Sequence, residues 1–271
     1  MTMRKQSKRK IHVKLAVIVV LLLAITNVAT FRLTEMYTRS EDEFKDINYQ
    51  NSNPVNVKNV TKKMGLSSFK IDKDKAKDIQ HVMIIAHPDD ETLWAGDHIM
   101  KNKYLIICLT NGGNKVRKKE FDKAMEITGN YGIILKYPDK TKRVKNNWNK
   151  VKNSIRNDID YILNFKEWST VTTHNPDGEY GHIQHKFTSM MVTNECVKLG
   201  ITDKLEYFGK YYKTNYLLNH TVPGALDFHD AQAKEQLMSI VYQSQGYAHR
   251  IFDHMVPYEK FIPYKNWYFG N

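Results

Sequence analysis

The stretch Ile84-Ile85-Ala86-His87-Pro88-Asp89-Asp90-Glu91 constrains the fold of this chain more than any other. An apolar run over 81–86 stops abruptly at one imidazole and three carboxylates. A run of that length, rich in β-branched residues, reads as a buried strand. Pro88 has no N–H to give a ladder and favours ending the strand there. In open α/β sheets, ligands gather just beyond the carboxyl ends of the strands. A strand ending in His-Pro-Asp-Asp-Glu therefore delivers metal-ligand types to the place where such sites form. Imidazole with carboxylate suits zinc, with iron or manganese as competitors. His-x-x-Asp alone is common, and the bland alternative is a polar turn after a strand.

A second cluster shifts the balance toward a metal. Thr173-His174-Asn175-Pro176-Asp177-Gly178-Glu179-Tyr180-Gly181-His182-Ile183-Gln184-His185 also follows a strand-like run, with Trp168, Thr170, Val171 and Thr172. His182 and His185 stand three apart, on one side of a starting helix. That helix continues with Ile183, Phe187, Met190, Met191 and Val197 near helical spacing. Catalytic zinc characteristically takes three protein ligands and keeps a position for water. His87, Asp90 and one of His182 or His185 would supply the three. Asp89 would remain free to act as a base.

Between and around these clusters, strands alternate with helices. Strands are expected at 81–86, 104–109, 131–136 and 168–173. Helices are expected at about 91–101, 115–130 (with Phe121, Met125 and Ile127 toward the core) and 148–165. Strands separated by helices imply parallel pairing, right-handed crossovers and a doubly wound α/β sheet. The loops after the first, second and fourth of these strands then share one rim. The Asn111-Gly112-Gly113 loop lies on that rim and could cradle a phosphate. It lacks the full Gly-x-Gly-x-x-Gly spacing of a dinucleotide site.

Ala-His-Pro-Asp-Asp-Glu followed by Gly-Glu-Tyr-Gly-His-x-x-His resembles the PIG-L/LmbE family of zinc-dependent N-acetylglucosaminyl deacetylases. The resemblance covers the chain from about residue 81 to its end. It implies a Rossmann-like fold, a mostly parallel sheet with helices on both faces. It implies that His87, Asp90 and His185 ligate zinc (Fe2+ or Mn2+ being the other candidates). It implies that Asp89 is general base and later acid, and that His182 stabilises the oxyanion, with Tyr180 nearby on a mobile loop. Arg117 and Glu120 match the family's Arg-x-x-Glu, which makes Arg117, with Asn111, an expected substrate contact. An ordinary helix-face pair at i,i+3 is the alternative for Arg117 and Glu120. The segment Tyr242-Gln243-Ser244-Gln245 also resembles one near the family's substrate rim. One departure matters: many bacterial members have Pro-Asp between the two histidines, where this chain has Ile183-Gln184. The implied reaction removes the N-acetyl group from an N-acetylglucosamine-type sugar in a glycolipid or surface polysaccharide. In that scheme zinc lowers the pKa of water from ~15.7 toward ~7. Asp89 accepts the proton, and His182 donates best as imidazolium. The alternatives are hydrolysis of another amide or ester, and a silent glycan-binding relative; the intact His87, Asp89, Asp90 and His185 argue against the latter.

The remaining expectations concern placement. Residues 1–14 carry Arg4, Lys5, Lys8, Arg9, Lys10 and Lys14 with no acid, and 15–31 carry no charge. This reads as a cytoplasmic basic segment (1–14) followed by a single-pass signal anchor (15–32), with the catalytic domain outside the cytoplasm. A cleaved signal peptide, giving a secreted protein, is the competing reading. Residues 33–78 read as a polar linker and 79–271 as the deacetylase domain. The net charge of +12 is dispersed and lacks an aromatic-interleaved basic motif, which points away from nucleic acid and toward anionic glycan or membrane surfaces. The two cysteines, Cys108 and Cys196, lie in apolar surroundings without paired spacing and read as unpaired core residues. The aromatic-rich 252–268 reads as a packed closing segment.

Overall fold

The computed structural model describes residues 69–141 and 144–270. The expected basic segment, membrane anchor and most of the linker lie outside the described residues. Among the described residues, no helix is long and apolar enough to cross a membrane. The last part of the expected linker is packed: Ile71 and Ala76 are buried, and Ile71 N–H donates to the Tyr161 hydroxyl at 3.2 Å. The compact unit ends at Trp267.

Its centre is a six-stranded sheet in the order β3-β2-β1-β6-β7-β8. Strands β1 (His81–Ile85), β2 (Tyr104–Thr110), β3 (Tyr131–Tyr137), β6 (Thr170–Thr173) and β7 (Leu205–Phe208) pair in parallel. β8 (Phe261–Pro263) closes the edge antiparallel to β7. Every residue of β2 is buried, as a parallel strand covered on both faces requires. From β1 the chain winds outward through β2 and β3, then returns to β6 on the other side of β1. The order therefore reverses between β1 and β6, and their carboxyl ends flank the crevice where ligands bind in such sheets.

Alternation along β1 feeds two layers. Met83 and Ile85 join Ile106, Cys108, Phe121 and Leu237 in one core cluster. That face carries helices α1 (Asp90–Lys101), α2 (Lys115–Thr128) and, later in the chain, α5 (Phe228–Val241). Helices α3 (Lys152–Leu163) and α4 (Ile183–Leu199) pack together, and α4 contacts β1, β6 and β7. Asn114 caps α2 by accepting the Val116 and Arg117 N–H groups, and Gly129 ends it at φ 66°. Both cysteines are free and buried, as expected.

Several expected details are corrected. Ile127 is 49% exposed, because the buried stripe of α2 is Phe121, Ala124, Met125 and Thr128, and 127 falls outside it. Val197 is 53% exposed, on the outer side of α4. Helix α3 begins at Lys152; Trp148 precedes it at φ 58°, fully buried, with its indole N–H on the Pro138 carbonyl at 2.7 Å. The lysine-rich loop before it contains a hairpin, β4 (Lys140–Thr141) and β5 (Val144–Lys145). Strands β7 and β8 and helix α5 carry too little periodic contrast to be read from sequence.

Helix α1 is kinked at Ala95, whose φ and ψ are −145° and 23°. The Glu259 carboxylate inserts there and accepts the N–H groups of Asp97 (3.1 Å) and His98 (2.8 Å). Lys234 Nζ meets the same carboxylate at 2.9 Å, and both side chains are fully buried. Gly96 leaves the space, since a Cβ there would lie 2.7 Å from Lys234 Cγ. Breaking a buried pair strands one charge, which costs roughly 3–5 kcal/mol. Lys234→Met should cost about 3 kcal/mol, the low end, because His98 also contacts Glu259. Urea unfolding would measure it; a loss below about 1 kcal/mol would contradict the clamp.

Candidate metal centre

After β1 the chain turns through Ala86, His87 and Pro88 into Asp89, which starts α1 at φ 110°. Strain of this kind, on the order of 1–3 kcal/mol, persists only where surrounding contacts over-determine it. Here they do. The Asp89 N–H donates to Glu91 Oε2 at 3.1 Å, and its carbonyl accepts from Leu93 at 2.8 Å. Glu91 is itself fully buried and held by Thr92 Oγ1 (2.8 Å) and the Tyr242 hydroxyl. The β6 side supplies His174 and Asn175, and the first turn of α4 supplies His185 behind its cap residue His182.

Three donor groups converge. His87 Nδ1 lies 3.1 Å from His185 Nε2 and 3.3 Å from Asp90 Oδ2. His185 Nε2 lies 3.4 Å from Asp90 Oδ1. Neighbouring donors of a tetrahedral zinc at ~2.0–2.1 Å stand about 3.3–3.4 Å apart, and these side chains approach that spacing, His87 through Asp90 Oδ2 and His185 through Asp90 Oδ1. His87 N–H also donates to Asp90 Oδ2 at 2.8 Å, which fixes that carboxylate.

The imidazoles around the triad are oriented by partners. Glu179 Oε2 accepts from His185 Nδ1 (2.6 Å) and His174 Nδ1 (3.0 Å). It sits at φ 53°, pinned by reciprocal bonds with Asn175 of 2.9 Å and 3.1 Å. His185 Nε2 therefore keeps its lone pair toward the cation position. His174 Nε2 instead accepts the Ala86 N–H at 3.0 Å, so its lone pair is already used despite lying 3.3 Å from Asp90. His182 Nδ1 is likewise used, accepting the Gln184 N–H at 3.3 Å, which leaves Nε2–H as a donor.

Burial, then the neighbouring His185 and His87 rings, push His182 down to about 2. With Nδ1 accepting the Gln184 N–H, the Nε2–H of His182 is the group left to donate. Burial also pulls His185 down to about 4. Burial raises the Asp89 carboxyl to about 7 against the opposing pull of Arg117. Burial opposes the Glu179 carboxylate, which His174 and His185 hold at about 2.

Among the expected substrate contacts, Arg117 Nη2 donates to the Pro88 carbonyl and lies 3.4 Å from Asp89 Oδ1. Glu120 does not pair with it. Its carboxylate accepts from Ser244 N (2.7 Å) and Oγ (2.6 Å), so the helix-face alternative is set aside. The 242–245 segment is thus tied to the rim through Glu120 and Glu91. Asn111, at φ 68°, bonds Thr110 Oγ1 at 2.7 Å and Asp139 Oδ2 at 3.4 Å. The Tyr180 ring lies 5.6 Å from His185 and 5.9 Å from His182 and rests on Phe252 at 4.5 Å. It is 40% exposed, facing the open side. His174, Glu179 and Asp139 were given no role by sequence, and Gln184 was noted only as a departure from the family pattern. His174, Glu179 and Gln184 lie inside the second cluster, where an acid five residues after a strand-end histidine was the available signal. Asp139 sits in a lysine-rich loop with no such signal.

Residues 82–196 match the model of the PIG-L family, described as GlcNAc-PI de-N-acetylase. The chain is 32% identical over 145 residues to the uncharacterized protein L374 of Acanthamoeba polyphaga mimivirus, a match covering 47% of this chain. It spans 59% of that relative's length, under two thirds of it. Among solved structures, the conserved protein TT1542 from Thermus thermophilus aligns at 16% identity and a TM-score of 0.47, covering 69% of this chain and 94% of the other. N,N'-diacetylchitobiose deacetylase from Pyrococcus horikoshii aligns at 15% identity and 0.43, covering 80% and 95%. Residues 82–196, which hold β1, β2, β3, β6 and both histidine clusters, are thus the part of the chain that matches the PIG-L family.

Proposed function

We propose that the chain is a divalent-metal N-deacetylase acting on an N-acetylglucosamine-type sugar of a glycolipid or polysaccharide. The observation that carries this reading is the triad of His87, Asp90 and His185 donors at tetrahedral spacing, with the Asp89 carboxyl beside it. The family description, a de-N-acetylase, supports an acetamide as the bond cleaved.

His87, Asp90 and His185 would hold the cation, zinc by donor type. Such an ion acidifies a water and polarises a carbonyl oxygen. Asp89 takes the proton of the attacking water and returns it to the departing amine. As the carboxyl beside the triad that is not spent on ligation, it is free for both halves of that work. Arg117 keeps the Asp89 carboxyl aligned across their 3.4 Å contact. His182 Nε2–H donates to the oxyanion that develops on the acetyl carbonyl oxygen. Tyr180, on the open side, and Asn111, on the rim, face the sugar.

His182→Ala should retain metal and lower kcat by roughly 10²–10³-fold, more than it raises KM, because the contact strengthens mainly in the transition state. Steady-state kinetics would show this; a rise in KM alone would remove His182 from that role. The reading as a whole is tested by acetate release across N-acetylglucosamine glycolipids, polysaccharides and simple acyl esters. Acetate from the sugars with matching free amine is expected. Turnover confined to esters would favour the other hydrolase reading.

The basic 1–14 and uncharged 15–31 stretches support a membrane-anchored chain with this domain outside the cytoplasm. Protease added to intact cells should then digest the domain and leave a small N-terminal fragment. Recovery of the whole chain in the cytosolic fraction would refute the anchor.

A further inference from the structure

Gln184 stands where many bacterial relatives carry aspartate, and it is fully buried. Its Oε1 lies 2.8 Å from His87 Nε2. Its Nε2 faces three backbone carbonyls, Pro138 (3.2 Å), Asp139 (3.1 Å) and Asn146 (3.2 Å). Three acceptors around one amide end require that end to be the NH2 group, so the other end is the oxygen. An amide oxygen only accepts. The His87 proton must then sit on Nε2, which leaves the Nδ1 lone pair toward Asp90 and His185. The same side chain holds both ends of the hairpin loop, since Pro138 and Asp139 precede β4 and Asn146 follows β5. The loop's own closing bond, Asn146 N–H to the Asp139 carbonyl at 2.7 Å, lies beside these contacts.

We propose that Gln184 is a positioning residue that locks the His87 tautomer for metal ligation and, through its amide NH2, ties the 138–146 loop to the metal centre. The inference rests on the metal reading of the His87 triad. An aspartate or glutamate at this place could still accept from His87 but could donate nothing to the loop. A carboxylate would instead face three carbonyl oxygens. Glutamine at this place thus serves the orienting bond and the loop tether together. Asp139 Oδ1 is the competing acceptor, 3.7 Å from His87 Nε2 and beyond hydrogen-bond reach.

Two variants of the full chain separate the two roles. Zinc affinity is measured by competition with a chromogenic chelator, and loop opening by the rate of tryptic cleavage within residues 140–145, read by mass spectrometry. Gln184→Leu should weaken zinc roughly 10–100-fold, the usual cost of removing the partner of a ligating histidine, and speed loop cleavage. Gln184→Glu should keep zinc affinity within about threefold of wild type, or tighten it, yet speed cleavage as much as leucine does. Wild-type affinity in Gln184→Leu would overturn the tautomer lock and hand that role to Asp139. Loss of zinc in Gln184→Glu equal to that in Gln184→Leu would overturn it as well. Unchanged cleavage in both variants would overturn the tether. A wild-type chain that binds no zinc would instead remove the metal reading beneath the lock, and the cleavage rates alone would then decide the tether.

Discussion

Asp89→Asn should lower turnover by roughly 10²–10⁴-fold while the purified chain keeps its metal. The substitution preserves shape. Asparagine tolerates positive φ about as well as aspartate, so the 110° backbone at this position is not a new burden. The amide oxygen can still face Arg117. What disappears is a group that can take a proton from water and return it to an amine. Activity assays paired with elemental analysis check this. If Asp89→Asn loses its metal, the roles of Asp89 and Asp90 are reversed. If it keeps both metal and turnover, Asp89 is not the base.

The larger effect is expected from the ligands. His87→Ala, Asp90→Asn and His185→Ala should each abolish tight metal binding and bring turnover to background. The three donors lie within 3.4 Å of one another, and two remaining donors do not define a closed site. His185→Ala should also cost stability, because buried Glu179 loses one of its two imidazole partners. Asp90→Asn leaves Glu179 untouched and separates the two effects. Near-stoichiometric metal in all three variants would place the ion elsewhere.

Much of this site was legible because its residues end strands. The apolar runs before His87 and His174 announced β1 and β6, and parallel pairing brings the two ends together at the switch point. The His-x-x-His spacing put His182 and His185 on one helix side. What sequence could not supply was the allocation of lone pairs. His174, His182 and His185 are chemically alike, and only Ala86 N–H, Gln184 N–H and Glu179 decide which nitrogen remains free. The surroundings of His182 were hidden for the same reason, since its burial beside two other imidazoles is a tertiary fact. Long-range supports were equally hidden. Ser244 on Glu120, Tyr242 on Glu91 and Glu259 in the kink of α1 join residues far apart in the chain. The closing elements β7, β8 and α5 escaped because short strands and a weakly amphipathic helix give little periodic signal.

Acetamide hydrolysis is expected to depend on one cation held by His87, Asp90 and His185. That dependence is tested most directly by titrating zinc into the chelator-stripped full chain while acetate release from an N-acetylglucosamine glycan is recorded. Activity should be absent at the start, rise linearly and saturate at one equivalent. Full acetate release from the stripped chain, unmoved by added zinc, would contradict it.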